Sequence, residues 1–265
     1  MLATRSFPES SPKWKRRGGC CFFLYIKWCV VTGSHHADDQ SEAAKYEETH
    51  RVLTDAKLLN ELHWSAELGV FSDYGNHTDR VHLVRKTFQS GQPGQPPVTR
   101  TVRVTKQKPK LRYVEAFGYV SLFPFLLQVL RPDSPQLSQI LSDLKAEDVL
   151  WTRYGLRSLS KRDPLYMKRN TAHDPPYWRG QIWINMNFLA VRALKHYSEI
   201  DGPYAGLAKE LYDELRNNLV KNLYKEYKRT GYLWENYSDV NGQGRGCHPF
   251  TGWSALVVLM MSEQY

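Results

Sequence analysis

The sequence predicts an all-α fold, and three observations carry that expectation. The second half is a succession of apolar runs of helical period, strand-like alternation is confined to one short stretch, and Pro, Gly and polar residues gather between the runs. Helices this apolar bury their faces against one another, which leaves the polar connections as the place for a site.

Residues 1–40 stand apart from the rest. A Pro/Ser start leads into Lys13, Lys15, Arg16 and Arg17 and then an apolar stretch from Cys20 to Val31, the order of charge and apolarity found in signal peptides and anchors. That stretch contains Lys27 and falls short of the ~20 residues a spanning helix needs, so a degenerate signal or anchor and a disordered segment foreign to the fold are both open. Over 38–62, Ala44, Val52, Leu53, Ala56, Leu59 and Leu62 recur at helical spacing among charges. A turn-rich stretch around Gly69 and Gly75 comes next. Residues 86–110 hold Gly91, Pro93, Gly94, Pro96, Pro97 and Pro109, which predicts a long mobile loop whose tail, 98–105, alternates weakly enough to form a β-ribbon. Beyond it lie the apolar run 114–130, the amphipathic piece 137–144 and the apolar run 181–197. Tyr204, Leu207, Ala208, Leu211, Tyr212, Leu215, Leu219 and Val220 make the cleanest 3.6-residue stripe, and a last helix is expected over 249–262.

Charge excludes more than it suggests. Net charge is +9, but six cations between Lys86 and Lys110 and the basic start account for all of it, so the remainder carries no basic stripe for nucleic acid to follow. The cysteines, Cys20, Cys21, Cys29 and Cys247, form no CxxC pair and have no His at zinc-ligand spacing, so neither a metal site nor a disulfide framework is indicated, and no cofactor. The 13% of aromatic residues serve sugar stacking or plain core packing equally well.

Two connections have a composition unlike ordinary loops. In the first, His173 and Asp174 precede Pro175 and Pro176, whose rings fix the backbone leading into Tyr177 and Trp178; Arg179 adds a rigid fork of donors, and Gly180 allows a close approach. Together these suit a polyol. In the second, Glu235 stands between Trp234 and Tyr237, where partial desolvation would raise its basicity and fit it to take a proton from water. An ion pair with Arg179 or Arg245 would explain the same carboxylate structurally. Gly242, Gly244 and Gly246 suggest a phosphate loop only superficially, because no strand precedes them.

The runs HDPPYWRGQIWINMNFLAVRAL, TGYLWENYSD and GCHPFTGWSALVVLMMSEQY resemble the end of the catalytic domain of the N-glycan-processing glucosidases, glycoside hydrolase family 63, and ELHWSAELGVFSDYGNHT and YVEAFGYVSLFPFLL resemble earlier parts of it. The similarity runs from about Lys45 to Tyr265, so 41–265 is identified as the carboxy-terminal portion of that domain. The resemblance implies an incomplete (α/α)6 toroid and an inverting exo-α-glucosidase that removes the terminal α-1,2-linked glucose of the triglucosylated N-glycan on nascent glycoproteins. It makes Glu235 the general base, places Tyr177, Trp178, Arg179 and Gly180 around the glucose, and puts Trp253 close by. It also implies an endoplasmic reticulum address, lumenal or at the membrane if the first segment anchors the chain, for which Asn76 in Asn-His-Thr is a plausible glycosylation acceptor. Asn236, in a second sequon, is expected to be buried. The family's general acid is an Asp upstream of the matched segments, and a twelve-helix toroid needs roughly 350 to 450 residues where this chain has room for about seven helices. The chain is therefore expected to be truncated and inactive alone, with a missing amino-terminal half as partner; a non-catalytic helical module that binds sugar or protein is the alternative.

Overall fold

The computed structural model describes residues 40–89, 94–169 and 174–265. The expectations for 1–39, and His173, lie outside the described residues. The chain divides into two units, 1–58 and 59–265.

The first unit carries α1 (Gln40–Leu53) and the start of α2 (Ala56–His63). The single helix expected over 38–62 is thus two, because Asp55 caps the second: its carboxylate accepts from Leu58 N at 2.8 Å.

In the second unit the all-α expectation needs correction, since four two-stranded antiparallel sheets accompany the helices. Strands β1 (Trp64–Ser65) and β2 (Val70–Phe71) close a turn at Gly69, where φ is +67°. Then come β3 (Tyr74–His77), β4 (Val81–Phe88), β5 (Val98–Thr105) and β6 (Lys110–Tyr113), with β3 paired to β6 and β4 to β5. Of the loop expected over 86–110, residues 86–88 and 98–105 are strand: the β4–β5 hairpin pairs Val81 with Thr105 through to Phe88 with Val98, and the β-ribbon read over 98–105 is β5. Alternating Val, Thr and Arg residues favour extended backbone there. Cross-strand contacts such as Thr87 to Thr99 (2.8 Å) and the Arg100 guanidinium over Phe88 then hold the register. Asn76 lies exposed on β3.

The apolar run 114–130 is not one long helix either. It is a 3₁₀ turn at Tyr119–Leu122 followed by the short α3 (Phe123–Leu126), and Gln128 at φ +58° ends it. Its apolarity reflects burial of most of its side chains, since Tyr119, Leu122, Phe125, Leu126 and Leu127 all lie in the core. Helix α4 (Pro135–Lys145) starts at Ser134, whose hydroxyl accepts from Leu137 N, and buries Leu137, Ile140, Leu141 and Leu144 on one stripe. Helices α5 (Ile184–Glu199) and α6 (Ala205–Thr230) pack together as the centre of the core. Along α6, Ala208, Leu211, Leu215, Leu219 and Leu223 are buried at steps of three and four, and Gly231 at φ +77° closes the helix by donating to Tyr227 O. A 3₁₀ turn at Trp253–Leu256 leads into α7 (Val257–Ser262).

Three backbone ties draw distant loops together around the start of α5. Gly118 bridges Leu159, Arg157 bridges Ile182, and Ile182 exchanges both hydrogen bonds with Tyr237, at 2.8 and 2.9 Å. The last tie holds the segment after Gly180 beside strand β7 (Asn236–Tyr237), which pairs in turn with β8 (Gly244–Arg245).

Candidate active site

Asn187 anchors the floor from α5. Fully buried, it accepts from Leu156 N at 2.7 Å and donates to Tyr119 Oη, Leu156 O and Trp183 O. Tyr119 in turn donates to Leu156 O and accepts from Trp183 N, and its burial pushes the phenol far above its usual range. These bonds fix the chain just before α5, and with it the Trp183 ring.

On that fixed ring the aromatic cluster is built. Trp178 stacks on Trp183 with centroids 3.8 Å apart and planes 8° from parallel, Tyr177 meets Trp183 edge-on at 4.7 Å, and Trp253 lies 5.8 Å from it. Trp183 is fully buried while Trp178 is 41% and Tyr177 40% exposed, so a buried ring supports a pair that faces solvent. Flat, rigid, half-exposed aromatic faces suit the apolar side of a sugar ring.

Glu235 is 8% exposed and sits beside that cluster. The Tyr177 hydroxyl donates to Oε1 at 2.5 Å, Cys247 N donates to Oε2 at 3.1 Å, and Trp253 Nε1 donates to the Glu235 carbonyl at 2.6 Å. Tyr177 holds φ at +46°, a region that non-glycine residues seldom occupy, so the contact is maintained against local backbone strain. The expectation of raised basicity is therefore corrected in direction. The Tyr177 hydrogen bond holds the carboxyl below its ordinary value, aided by Cys247 and against the pull of burial, while the Tyr177 phenol is pushed up to about 12, chiefly by bonding to the carboxylate. Glu235 is a carboxylate at neutral pH with both oxygens oriented.

The structure thus brings Tyr177, Trp178, Trp253 and Glu235 together, from segments up to 76 residues apart in sequence. It does not bring the guanidinium of Arg179 to Glu235: Arg179 Nη1 donates to Lys168 O at 3.1 Å. Neither Arg179 nor Arg245 pairs with the carboxylate among the described residues. Gly180 allows a close approach, as its residue type suggests, but to protein. A Cβ there would lie 2.8 Å from both Met167 Sδ and Tyr166 Cε2, and its N–H donates to Ser158 Oγ. Asn236, 3% exposed, is buried as expected.

Some of the site's supports carried no recognisable signal. Arg157 and Asp239 form a buried ion pair at 3.1 Å, with further bonds from Arg157 to Glu147 O and Val149 O and from Tyr166 Oη to Asp239 at 2.5 Å. Burial and the Asp239 bond push Tyr166 up to about 12. This clasp ties the residues after β7 to the loop before Gly180, and no spacing rule links three residues from such distant positions. No group of His, Cys, Asp and Glu that could hold a metal ion occurs among the described residues.

Comparison with known proteins agrees with the sequence. The glycosyl hydrolase family 63 C-terminal domain matches residues 20–263, beginning within the amino-terminal segment of unlike composition. A mannosyl-oligosaccharide glucosidase of Arabidopsis thaliana is 46% identical over 249 residues, covering 92% of this chain and 29% of that protein. An alpha-glucosidase 2 of the same plant is 44% identical over 222 residues (83% and 28%), and a mannosyl-oligosaccharide glucosidase of Saccharomyces cerevisiae 41% over 150 residues (55% and 17%). The chain thus spans less than a third of the length of these relatives. A solved structure named a sialidase superposes with a TM-score of 0.58 at 13% identity, covering 89% of this chain and 19% of that one, a likeness of fold alone.

Proposed function

The chain belongs to glycosyl hydrolase family 63, within its C-terminal domain, and from that premise we propose that it supplies the base half of an inverting exo-α-glucosidase site for N-glycan processing. The observation that carries the reading is the Glu235 carboxylate, oriented by Tyr177 and Cys247 beside the half-exposed face of Trp178. In an inverting hydrolase one carboxylate takes a proton from water as that water attacks the anomeric carbon, and a carboxylic acid on the opposite face protonates the leaving oxygen. Glu235 takes the first role. The lowered proton affinity makes it a weaker base than a free Glu, so what the site adds is orientation: it is ionised at neutral pH and each oxygen is held by a donor, which favours a fixed attack geometry.

Tyr177, Trp178 and Trp253 form the wall of the glucose subsite, Gly180 fixes its backbone, and Arg179 lines its edge from the Lys168 carbonyl. The substrate is the terminal α-1,2-linked glucose of the triglucosylated N-glycan, the helices are part of an (α/α)6 toroid, and the endoplasmic reticulum is the compartment. The relatives named as mannosyl-oligosaccharide glucosidases support this assignment. No helix among the described residues is long and apolar enough to cross a membrane. We assign the acid's role to none of the described residues. Asp239, the nearest carboxylate in sequence, is committed to Arg157 and Tyr166.

The test is hydrolysis of a triglucosylated N-glycan by this chain together with the remainder of a family 63 catalytic domain. Release of one glucose with inversion, abolished by Glu235→Gln, is expected. Full turnover by Glu235→Gln would remove the base from the mechanism.

A further inference from the structure

Each glycine of the loop that carries Gly242, Gly244 and Gly246 has a tight protein neighbour. A Cβ on Gly242 would lie 2.1 Å from Asn222 Oδ1, and one on Gly244 would lie 2.1 Å from Trp234 Cγ. A Cβ on Gly246 would lie 2.5 Å from Oε2 of Glu235 and 3.0 Å from that residue's own Cβ. A carbon such as Cβ does not come closer than about 3 Å to a non-bonded heavy atom, so in each place the neighbour would have to move.

We propose that Gly246 is a positioning residue for the Glu235 carboxylate, and that Gly244 and Gly246 together make the loop a mould for the segment Trp234 to Asn236. The proposal rests on the reading of Glu235 as the base.

Three features of the loop converge on the carboxylate. Gly246 holds φ at +75°, the left-handed region, and the turn it makes sends the chain back so that Cys247 N reaches Oε2 at 3.1 Å while Cys247 O accepts from Glu235 N at 3.0 Å. A residue with a Cβ meets strain in that backbone and collides with the oxygen it should orient. Gly244 lets the loop lie flat against the Trp234 ring, where its N–H donates to the buried Glu226 carboxylate at 3.0 Å. Glu226 is locked in turn by Arg229 on α6, so the loop is pinned to the longest helix of the core. From the other side Tyr177 grips Oε1, and the carboxylate is held between the phenol and the glycine with no slack toward either.

The test separates the collision from the backbone strain. Gly231 has nearly the same φ, +77°, but nothing lies within 4 Å of a Cβ built there. Gly231→Ala therefore carries the strain without the collision. The full chain, with Glu carboxyl carbons labelled with carbon-13, is titrated by NMR, and the Glu235 resonance is assigned by its loss in Glu235→Gln. In Gly246→Ala the Glu235 carboxyl should titrate at higher pH than in the wild type, and in Gly231→Ala it should not move. The melting temperature should fall further in Gly246→Ala than in Gly231→Ala, and part of that excess should return in Gly246→Ala/Glu235→Asp, whose shorter side chain withdraws from the new methyl. An unchanged Glu235 titration in Gly246→Ala overturns the proposal, as does an equal loss of melting temperature whether Glu or Asp stands at position 235. If Gly246→Ala does not fold, the double variant must; a double variant that also fails to fold refutes the mould. None of these readouts depends on turnover, so failure of the base assignment, seen as an active Glu235→Gln, stays distinct.

Discussion

Tyr177 serves two partners at once: its ring edge rests on Trp183 and its hydroxyl holds Glu235 at 2.5 Å, from a strained backbone at φ +46°. Removing only the hydroxyl keeps the packing and frees the carboxylate, so Tyr177→Phe should raise the proton affinity of Glu235, an effect read by carboxyl NMR. The linked stability change has a definite sign. A carboxyl held below its unfolded value of 4.5 stabilises the fold above that pH and loses the contribution as the pH falls through the folded value. The melting temperature of the wild type should therefore exceed that of Tyr177→Phe most at neutral pH, and the gap should shrink below about pH 4.5. A gap constant down to pH 2 would mean that the hydroxyl acts without regard to the charge on Glu235. That Glu235 lies among aromatic residues was legible in the sequence from Trp234 and Tyr237, but that Tyr177 and Trp253 are the ones that bond it was not. Nor was the direction of its shift. It depends on Tyr177, 58 residues away, and on one backbone N–H, which residue types do not disclose.

At the scale of elements, α4 and α6 were legible because their apolar period is set by a single buried face, and α5 because a long apolar run is buried over most of its surface. The run 114–130 misled because uniform apolarity reports burial and says nothing of conformation, and Pro124 and Gln128 break it into two short pieces. The hairpin of β4 and β5 was half legible, since its proline-rich approach reads as loop while its Val and Thr alternation reads as strand. Most of its side chains are exposed, and its backbone bonds are internal to the pair. Replacing residues 81–105 by a short turn should consequently shift the melting temperature by no more than about 3 °C, the equivalent of roughly 1 kcal/mol for a chain of this size. A larger loss would show that the hairpin packs on the core. Asn187 on α5 is the opposite case. Asn187→Leu keeps the branched shape, with bulkier methyl ends, but strips partners from Leu156 N, Tyr119 Oη and two carbonyls in a buried interior, which should cost about 3 kcal/mol in chemical denaturation. It should also loosen the Trp183 ring on which Trp178 stacks, lowering sugar affinity along with stability.

On the proposed reading, the molecule as a whole contributes the base of a two-carboxylate reaction. Glu235 is oriented, ionised and flanked by stacking faces, while two carboxylates on neighbouring segments are committed elsewhere: Asp239 to Arg157 and Tyr166, Glu226 to Arg229 and the Gly244 N–H. An inverting hydrolase needs a second carboxyl group roughly 6.5 to 9.5 Å from the base and on the opposite face of the sugar. Asp239 follows Glu235 by four residues, and its side chain is only 2% exposed in an ion pair, so it cannot deliver a proton there without breaking the clasp. The prediction is that this chain alone binds the glucose-terminated glycan weakly and hydrolyses it slower by ~10² to 10⁴-fold than a preparation supplied with the remaining part of the catalytic domain, the range that general acid catalysis contributes. Calorimetry with the glycan would read the binding, and release of free glucose would read the turnover. Binding lost on Trp178→Ala but kept in Glu235→Gln would identify the sugar face and separate it from the chemistry. Full-rate hydrolysis by the chain alone would mean that an acid is present among its own residues, and Asp174→Asn would then be the first variant to examine for its loss.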